Sequence, residues 1–145
     1  MAENRLFVGL GNPWRGDDGV GPWLVDALAG AGRDALDLGG DGAALIGVLA
    51  NRADVVLFDA SRSGAPAGTV TCFDARARPL PTGYFHYSTH AFGLAEAVET
   101  ARNLDRLPAR LEVYAIEGAA FGAGQGLSAP VLAAARRLLA SWLAV

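Results

Sequence analysis

The chain contains no lysine; all 12 of its basic residues are arginine. That excludes chemistry built on a lysine amine nucleophile or on a lysine that grips a phosphate. Cysteine is almost absent as well. The single Cys72 rules out an internal disulfide and suits a reducing compartment. No apolar run approaches the roughly 20 residues a membrane span requires, and the opening MAENR leads into a strand without a signal-type apolar region. No basic run appears and the formal net charge is −3, which argues against a nucleic-acid partner. Internal repeats and low-complexity segments are missing too. With 52% hydrophobic and 19% charged residues, the 145 residues read as one domain, 1–145, able to bury a core without disulfides or structural metal. A soluble, cytoplasmic protein with no membrane partner is expected.

What the chain does have is concentrated in Leu6–Gly21, LFVGLGNPWRGDDGVG. Leu6, Phe7 and Val8 form an apolar run short enough for one strand of a buried sheet. Gly9 and Gly11 then punctuate the chain, Pro13 fixes a loop, and Gly19 and Gly21 bracket a helix start. Asp17 and Asp18 lie between them, in the kind of loop where α/β sheets bind ligands.

The rest alternates strand and helix. Val20, Leu24, Ala27 and Leu28 recur at helical spacing up to Gly30 and Gly32. Ala35–Leu38 reads as a weak strand, and Leu45, Val48 and Leu49 as a short amphipathic helix after the Gly39-Gly40-Asp41-Gly42 turn. Asp54–Phe58 is a continuous buried strand ending on Asp59. Thr69–Phe73 follows a linker too short for a helical crossover, so it is expected antiparallel. Ala75–Tyr87 reads as a long loop of functional length. A helix from His90 to about Arg102 follows, capped by Ser88 or Thr89. Leu111–Ile116 is the last strand, and a Gly-rich loop, Glu117–Gly126, leads to a terminal helix near Ser128 with Pro130 in its first turn. These elements predict a three-layer α/β/α sandwich on a five-stranded, mostly parallel sheet with one antiparallel strand.

Asp17 and Asp18 after the first strand, Asp59 at the end of the third and His90 before the third helix all fall where one sheet edge can gather them. Two carboxylates and an imidazole suit a divalent transition metal such as nickel, zinc or iron. Three protein ligands leave coordination positions open for a substrate, and a helix N-terminus favours the neutral, metal-binding form of His90. Each residue also has a purely structural role open to it. Asp17 or Asp18 caps the first helix, Asp59 starts a turn, and His90 caps or packs. On the same footing His86 sits in solvent, Cys72 is an inert core residue, and Trp14 and Trp23 pack, with Trp14 near enough to the acids to line a pocket. Only convergence favours the metal reading.

Three blocks, GLGNPWRGDDGVG (Gly9–Gly21), ANRADVVLFDAS (Ala50–Ser61) and STHAFGLAEAV (Ser88–Val98), with the closing GLSAPV (Gly126–Val131), resemble the hydrogenase maturation proteases. The resemblance covers essentially the whole chain. It implies a phosphorylase/hydrolase-like α/β/α fold and an aspartic-type endopeptidase that removes a C-terminal extension from a nickel–iron hydrogenase large-subunit precursor. It further implies a metal-binding trio, Asp18, Asp59 and His90, that senses the nickel of the substrate, with no tightly bound organic cofactor. Asp18 stands where some members carry glutamate, a side chain longer by one methylene, roughly 1.5 Å. Gly39-Gly40-Asp41 follows the family's acidic-Gly-Gly theme loosely, with Leu38 after Asp37.

The residues leave the water-activating group open. Asp17, Asp18 or Asp59 acts as base, or the metal lowers the water's pKa. No GxSxG elbow or HExxH helix occurs, which disfavours a serine nucleophile or a resident zinc. Three alternatives fit less well. Val8–Pro13 (VGLGNP) is similar to peptidyl-tRNA hydrolase, but the chain continues RGDDGVG and lacks a basic face. A dinucleotide fingerprint fails because Trp14 occupies the place of its third glycine. A non-enzymatic receiver-like domain pairs acids in the same way but needs a late lysine.

Overall fold

The computed structural model describes residues 5–81, 83–85 and 92–144. Five strands, β1 (Leu6–Gly9), β2 (Ala35–Asp37), β3 (Asp54–Ser61), β4 (Val70–Asp74) and β5 (Arg110–Glu117), form one sheet in the order β2-β1-β3-β5-β4. The first four in that order are parallel, and β4 runs antiparallel to β5, as the short linker before it predicts. Four helices, α1 (Val20–Gly30), α2 (Gly42–Ala50), α3 (Leu94–Asn103) and α4 (Ala129–Leu143), cover its two faces. None of the helices among the described residues is long and apolar enough to cross a membrane.

The two layers have separate cores because strand side chains alternate between faces. Val8, Val55, Leu57, Leu111 and Val113 point towards Leu45 and Leu49 of α2 and Leu94 and Val98 of α3. Phe7, Val56, Phe58 and Ile116 face α1 and α4 instead. There the Trp142 ring sits 5.3 Å from Phe7, 5.2 Å from Phe58 and 5.2 Å from Tyr114, centroid to centroid, so one indole clasps three neighbouring strands to α4. Trp23 packs against the same core.

Strand order decides where a ligand can enter. From β1 the chain crosses to β2 on one side, then returns to place β3 on the other, so the strand order reverses between β1 and β3. The loops leaving the carboxyl ends of two such strands diverge to opposite faces and leave a crevice between them. Two glycines let β1 and α1 meet there. A Cβ on Gly21 would collide with the Leu10 carbonyl, and one on Gly9 would lie 2.7 Å from the Gly21 carbonyl oxygen.

Several boundaries differ from the sequence reading. β3 does not stop at Phe58; it continues through Asp59 to Ser61, because β5 stays in register with it to Glu117. Helix α3 begins at Leu94 rather than His90. Its N-cap is Gly93, whose N–H donates to Glu96 Oε1 at 3.0 Å, so that bond stands at the helix start in place of the cap assigned to Ser88 or Thr89. His86, Ser88, Thr89 and His90 lie outside the described residues. The segment after β4 is a loop over its described residues, as expected, and it adds Leu80 and Phe85 to the α2–α3 core. Cys72, expected in the core, is exposed. Its strand is the sheet's outer edge, where a strand pattern does not guarantee a covering helix.

Candidate functional site

The crevice is built on β1 and β3. Beyond Gly9 the chain turns at Leu10–Asn12, with the Leu10 N–H donating to the Phe58 carbonyl (3.2 Å) and the Gly11 N–H to that of Gly39 (2.9 Å). Gly11 has φ 126°. A Cβ there would collide with the Asp18 carbonyl and lie 3.5 Å from Asp59 Oδ1. Only glycine therefore lets the chain pass between the backbone of Asp18 and the carboxyl group of Asp59.

Asp18 and Asp59 are thus brought together from opposite sides of Gly11. Both are buried, each 6% exposed. Asp18 Oδ2 accepts the Asn12 N–H at 2.8 Å, which pins its side chain under the β1 loop. Asp59 Oδ1 accepts the N–H of its own neighbour Ala60, also at 2.8 Å. Burial, and after it the charge of Asp18, push the Asp59 carboxyl well above the usual carboxylate range, only partly offset by the Ala60 N–H. A buried acid whose ionisation a neighbouring carboxyl group disfavours is suited to sharing a proton or to meeting a cation. Among the described residues no group of three His, Cys, Asp or Glu side chains gathers as a metal site. The pair Asp18 and Asp59 is in place, and His90, the third expected member, lies outside those residues.

Asp17 is placed differently. Neither aspartate caps α1, whose N-cap is Gly19 with no side-chain cap bond; both lie in a short 3-10 turn, Gly16–Gly19, ahead of it. From that turn Asp17 points away from Asp59 into the loop after β5. Its Oδ1 accepts the Ser128 N–H (2.7 Å), and its Oδ2 accepts Ala119 N–H (2.7 Å), Ala120 N–H (3.1 Å) and Ser128 Oγ (2.8 Å). The carboxyl group is fully buried and both oxygens are occupied. It ties the β1 loop to the entrance of α4.

A second carboxyl group of this kind was not singled out from sequence. Glu117, at the end of β5, is 4% exposed and accepts Ser61 Oγ (2.9 Å), Ser63 Oγ (2.8 Å), Ser63 N–H (2.9 Å) and Gly64 N–H (3.1 Å). It fixes the turn that follows Asp59. An acid closing an apolar strand just before a Gly-rich loop was the available signal. Arg62, on the same turn, stacks over Phe121 of the β5 loop, 5.0 Å from the ring centroid, and braces the two loops further.

The tryptophan beside the acids does not pack. Trp14 is 76% exposed, on a loop held by its N–H to Asn12 Oδ1 (2.9 Å) and by the Gly124 N–H to its carbonyl (2.8 Å).

Residues 27–144 match the family model HycI, hydrogenase maturation protease. The match begins after Asp17 and Asp18 and so does not include them. The hydrogenase maturating endopeptidase HybD from E. coli is 26% identical, with a TM-score of 0.79 over 97% of this chain and 90% of that one. A nickel–iron hydrogenase maturation protease HybD from Thermococcus kodakarensis is 24% identical, with a TM-score of 0.76 over 98% of this chain and 99% of that one. HycI from the same archaeon is 23% identical, with a TM-score of 0.76 over 99% and 94%. The two archaeal proteins speak for the fold. No curated protein matches the chain.

Proposed function

Because the chain belongs to the hydrogenase maturation protease family, we propose that it removes a C-terminal extension from the large-subunit precursor of a nickel–iron hydrogenase, and that it recognises the nickel of that substrate through Asp18, Asp59 and His90. The observation that carries the reading is the placement of two buried acids at the β1–β3 crevice, with Gly11 between the Asp18 backbone and the Asp59 carboxyl group and the charge of Asp18 raising the pKa of Asp59.

In this reading the substrate's nickel satisfies a site that is electrostatically strained without it. A divalent ion between Asp18 and Asp59 replaces their repulsion with attraction and draws the Asp59 proton off. Carboxylate and imidazole donors suit such an ion, and three protein ligands leave room for ligands that the precursor itself supplies. Anchoring the precursor by its metal holds the adjoining peptide bond at the crevice, so that hydrolysis becomes effectively intramolecular. A precursor without nickel lacks that anchor. Asp17 serves as a positioning residue, since its oxygens are already taken by four donors. That leaves Asp18 or Asp59 to handle the proton of the attacking water.

The test is incubation of the protein with nickel-loaded and nickel-free precursor, followed by mass spectrometry of the large subunit's C-terminus. The expected result is a shortened C-terminus with the loaded precursor alone. Equal trimming of both forms would overturn the nickel checkpoint, and trimming of neither would overturn the substrate assignment.

A further inference from the structure

One side chain at the crevice is not used by the fold. Trp14, 76% exposed, belongs to neither core, whereas Trp23 and Trp142 both pack against the α1–α4 layer. Leu36, Phe92 and Leu104 are also exposed, Leu36 in β2, Phe92 just before α3 and Leu104 just after it. An indole is the largest apolar surface a residue can offer, and leaving it in water forgoes its burial.

A tryptophan on a loose loop tip would mean little. This one stands on a braced support. Arg15 bridges Ala123 in antiparallel fashion, Gly124 N–H donates to the Trp14 carbonyl (2.8 Å), and Gly16 N–H donates to that of Gln125 (3.2 Å). Beneath it the Asp17 carboxyl group holds Ala119, Ala120 and Ser128. The support is also wired to the reacting site through one residue. Asn12 accepts the Trp14 N–H on its side-chain oxygen (2.9 Å) and donates its own N–H to Asp18 Oδ2 (2.8 Å). The backbone that carries the indole is therefore held at a set position relative to Asp18. Trp14 stands on the loop between β1 and Asp18, four residues before that acid, so a polypeptide brought to Asp18 and Asp59 meets the loop that carries it.

We propose that Trp14 is a specificity-determining contact that packs on an apolar side chain of the precursor polypeptide next to the scissile bond. The inference rests on the substrate assignment made above and adds to it a recognition element that is independent of nickel. An indole on a braced backbone has only two side-chain torsions to order on binding, and tryptophans carry a disproportionate share of interface energy.

Steady-state cleavage of nickel-loaded precursor by the wild type, Trp14→Ala and Trp14→Phe tests it, with thermal melts and sedimentation of each protein. For Trp14→Ala, kcat/KM is expected to fall about tenfold or more, chiefly through a raised KM, with the melting temperature unchanged. Trp14→Phe is expected to recover most of the loss, because it keeps a flat apolar ring. An unchanged kcat/KM in Trp14→Ala overturns the proposal, as does a loss carried by kcat with KM unmoved. Self-association of the wild type that Trp14→Ala abolishes assigns the ring to a second copy of the chain and also overturns it. If the wild type cleaves normally while Trp14→Ala matches it, only this proposal fails. If the wild type does not cleave loaded precursor at all, the substrate assignment fails and takes this proposal with it.

Discussion

Four buried carboxyl groups surround the crevice, and they divide into two kinds. Asp17 and Glu117 are enclosed by donors, backbone N–H groups and serine hydroxyls that fill both oxygens of each. Asp59 receives one N–H, from its own neighbour, and faces Asp18. Burial is common to both kinds and so does not distinguish a working acid from a structural one. The difference lies in what surrounds the oxygens. A carboxyl group saturated by donors has its environment complete and acts as a clasp. One that meets a second carboxyl group in a dry crevice is held in a costly arrangement, which persists where something outside the chain relieves it. The clasps stand beside the working acids: Asp17 precedes Asp18, and Glu117 holds the turn that follows Asp59.

The sharpest way to break this division is to remove one acid of each kind and ask which property is lost. Asp18→Ala, Asp59→Ala and His90→Ala are each expected to reduce precursor processing about a thousandfold or more, the scale of losing a group that acts on the reacting centre, about 4 kcal/mol. Each variant should still fold. Precursor cleavage followed by mass spectrometry, with circular dichroism melts alongside, measures both. Asp17→Ala should do the opposite. It strands three backbone N–H groups and a hydroxyl in the interior, which costs roughly 3 kcal/mol or more of folding stability, read by urea denaturation. Full stability with processing abolished would return Asp17 to the role of base and erase the division.

Much of this was legible in the chain. The glycine spacing of Gly9–Gly21 marked a strand-to-helix crossing that needs bare backbone, and the apolar run Asp54–Phe58 marked a central strand. The short linker before β4 dictated an antiparallel pair. What escaped was set by tertiary contacts. Whether Asp17 or Asp18 faces Asp59 depends on the 3-10 turn before α1, and adjacent identical residues carry no sign of which way each points. Glu117 became a clasp only because β5 stays in register with β3 as far as Ser61. Cys72 and Trp14 were misplaced for one shared reason: apolar composition predicts burial only where a neighbouring element arrives to cover it. Among the described residues, nothing covers the outer edge of β4 at Cys72 or the tip of the β1 loop at Trp14.

The smallest expected effect is the most discriminating, because it opposes the usual consequence of mutating a buried polar residue. Asp59 has its pKa raised in the folded state by burial and by Asp18. Below the ordinary carboxylate range it is protonated whether the chain is folded or not, and it adds no pH dependence. As pH rises past that range the unfolded chain releases the proton while the folded chain retains it. Stability then falls with pH until the folded value is passed, above which the full cost is present. Asp59→Asn keeps the shape and removes the titration. Its melting temperature should exceed that of the wild type at neutral pH by a few degrees, about what 1 kcal/mol produces in a domain of this size. The gap should narrow towards about pH 4, where the side chain of the unfolded chain is already about half protonated. Melts of the two proteins from about pH 4 to pH 8 decide the matter. A variant less stable than the wild type at neutral pH, or a gap that does not change with pH, would mean that Asp59 is held by donors as Asp17 is, and the crevice would contain no strained pair for a metal to relieve.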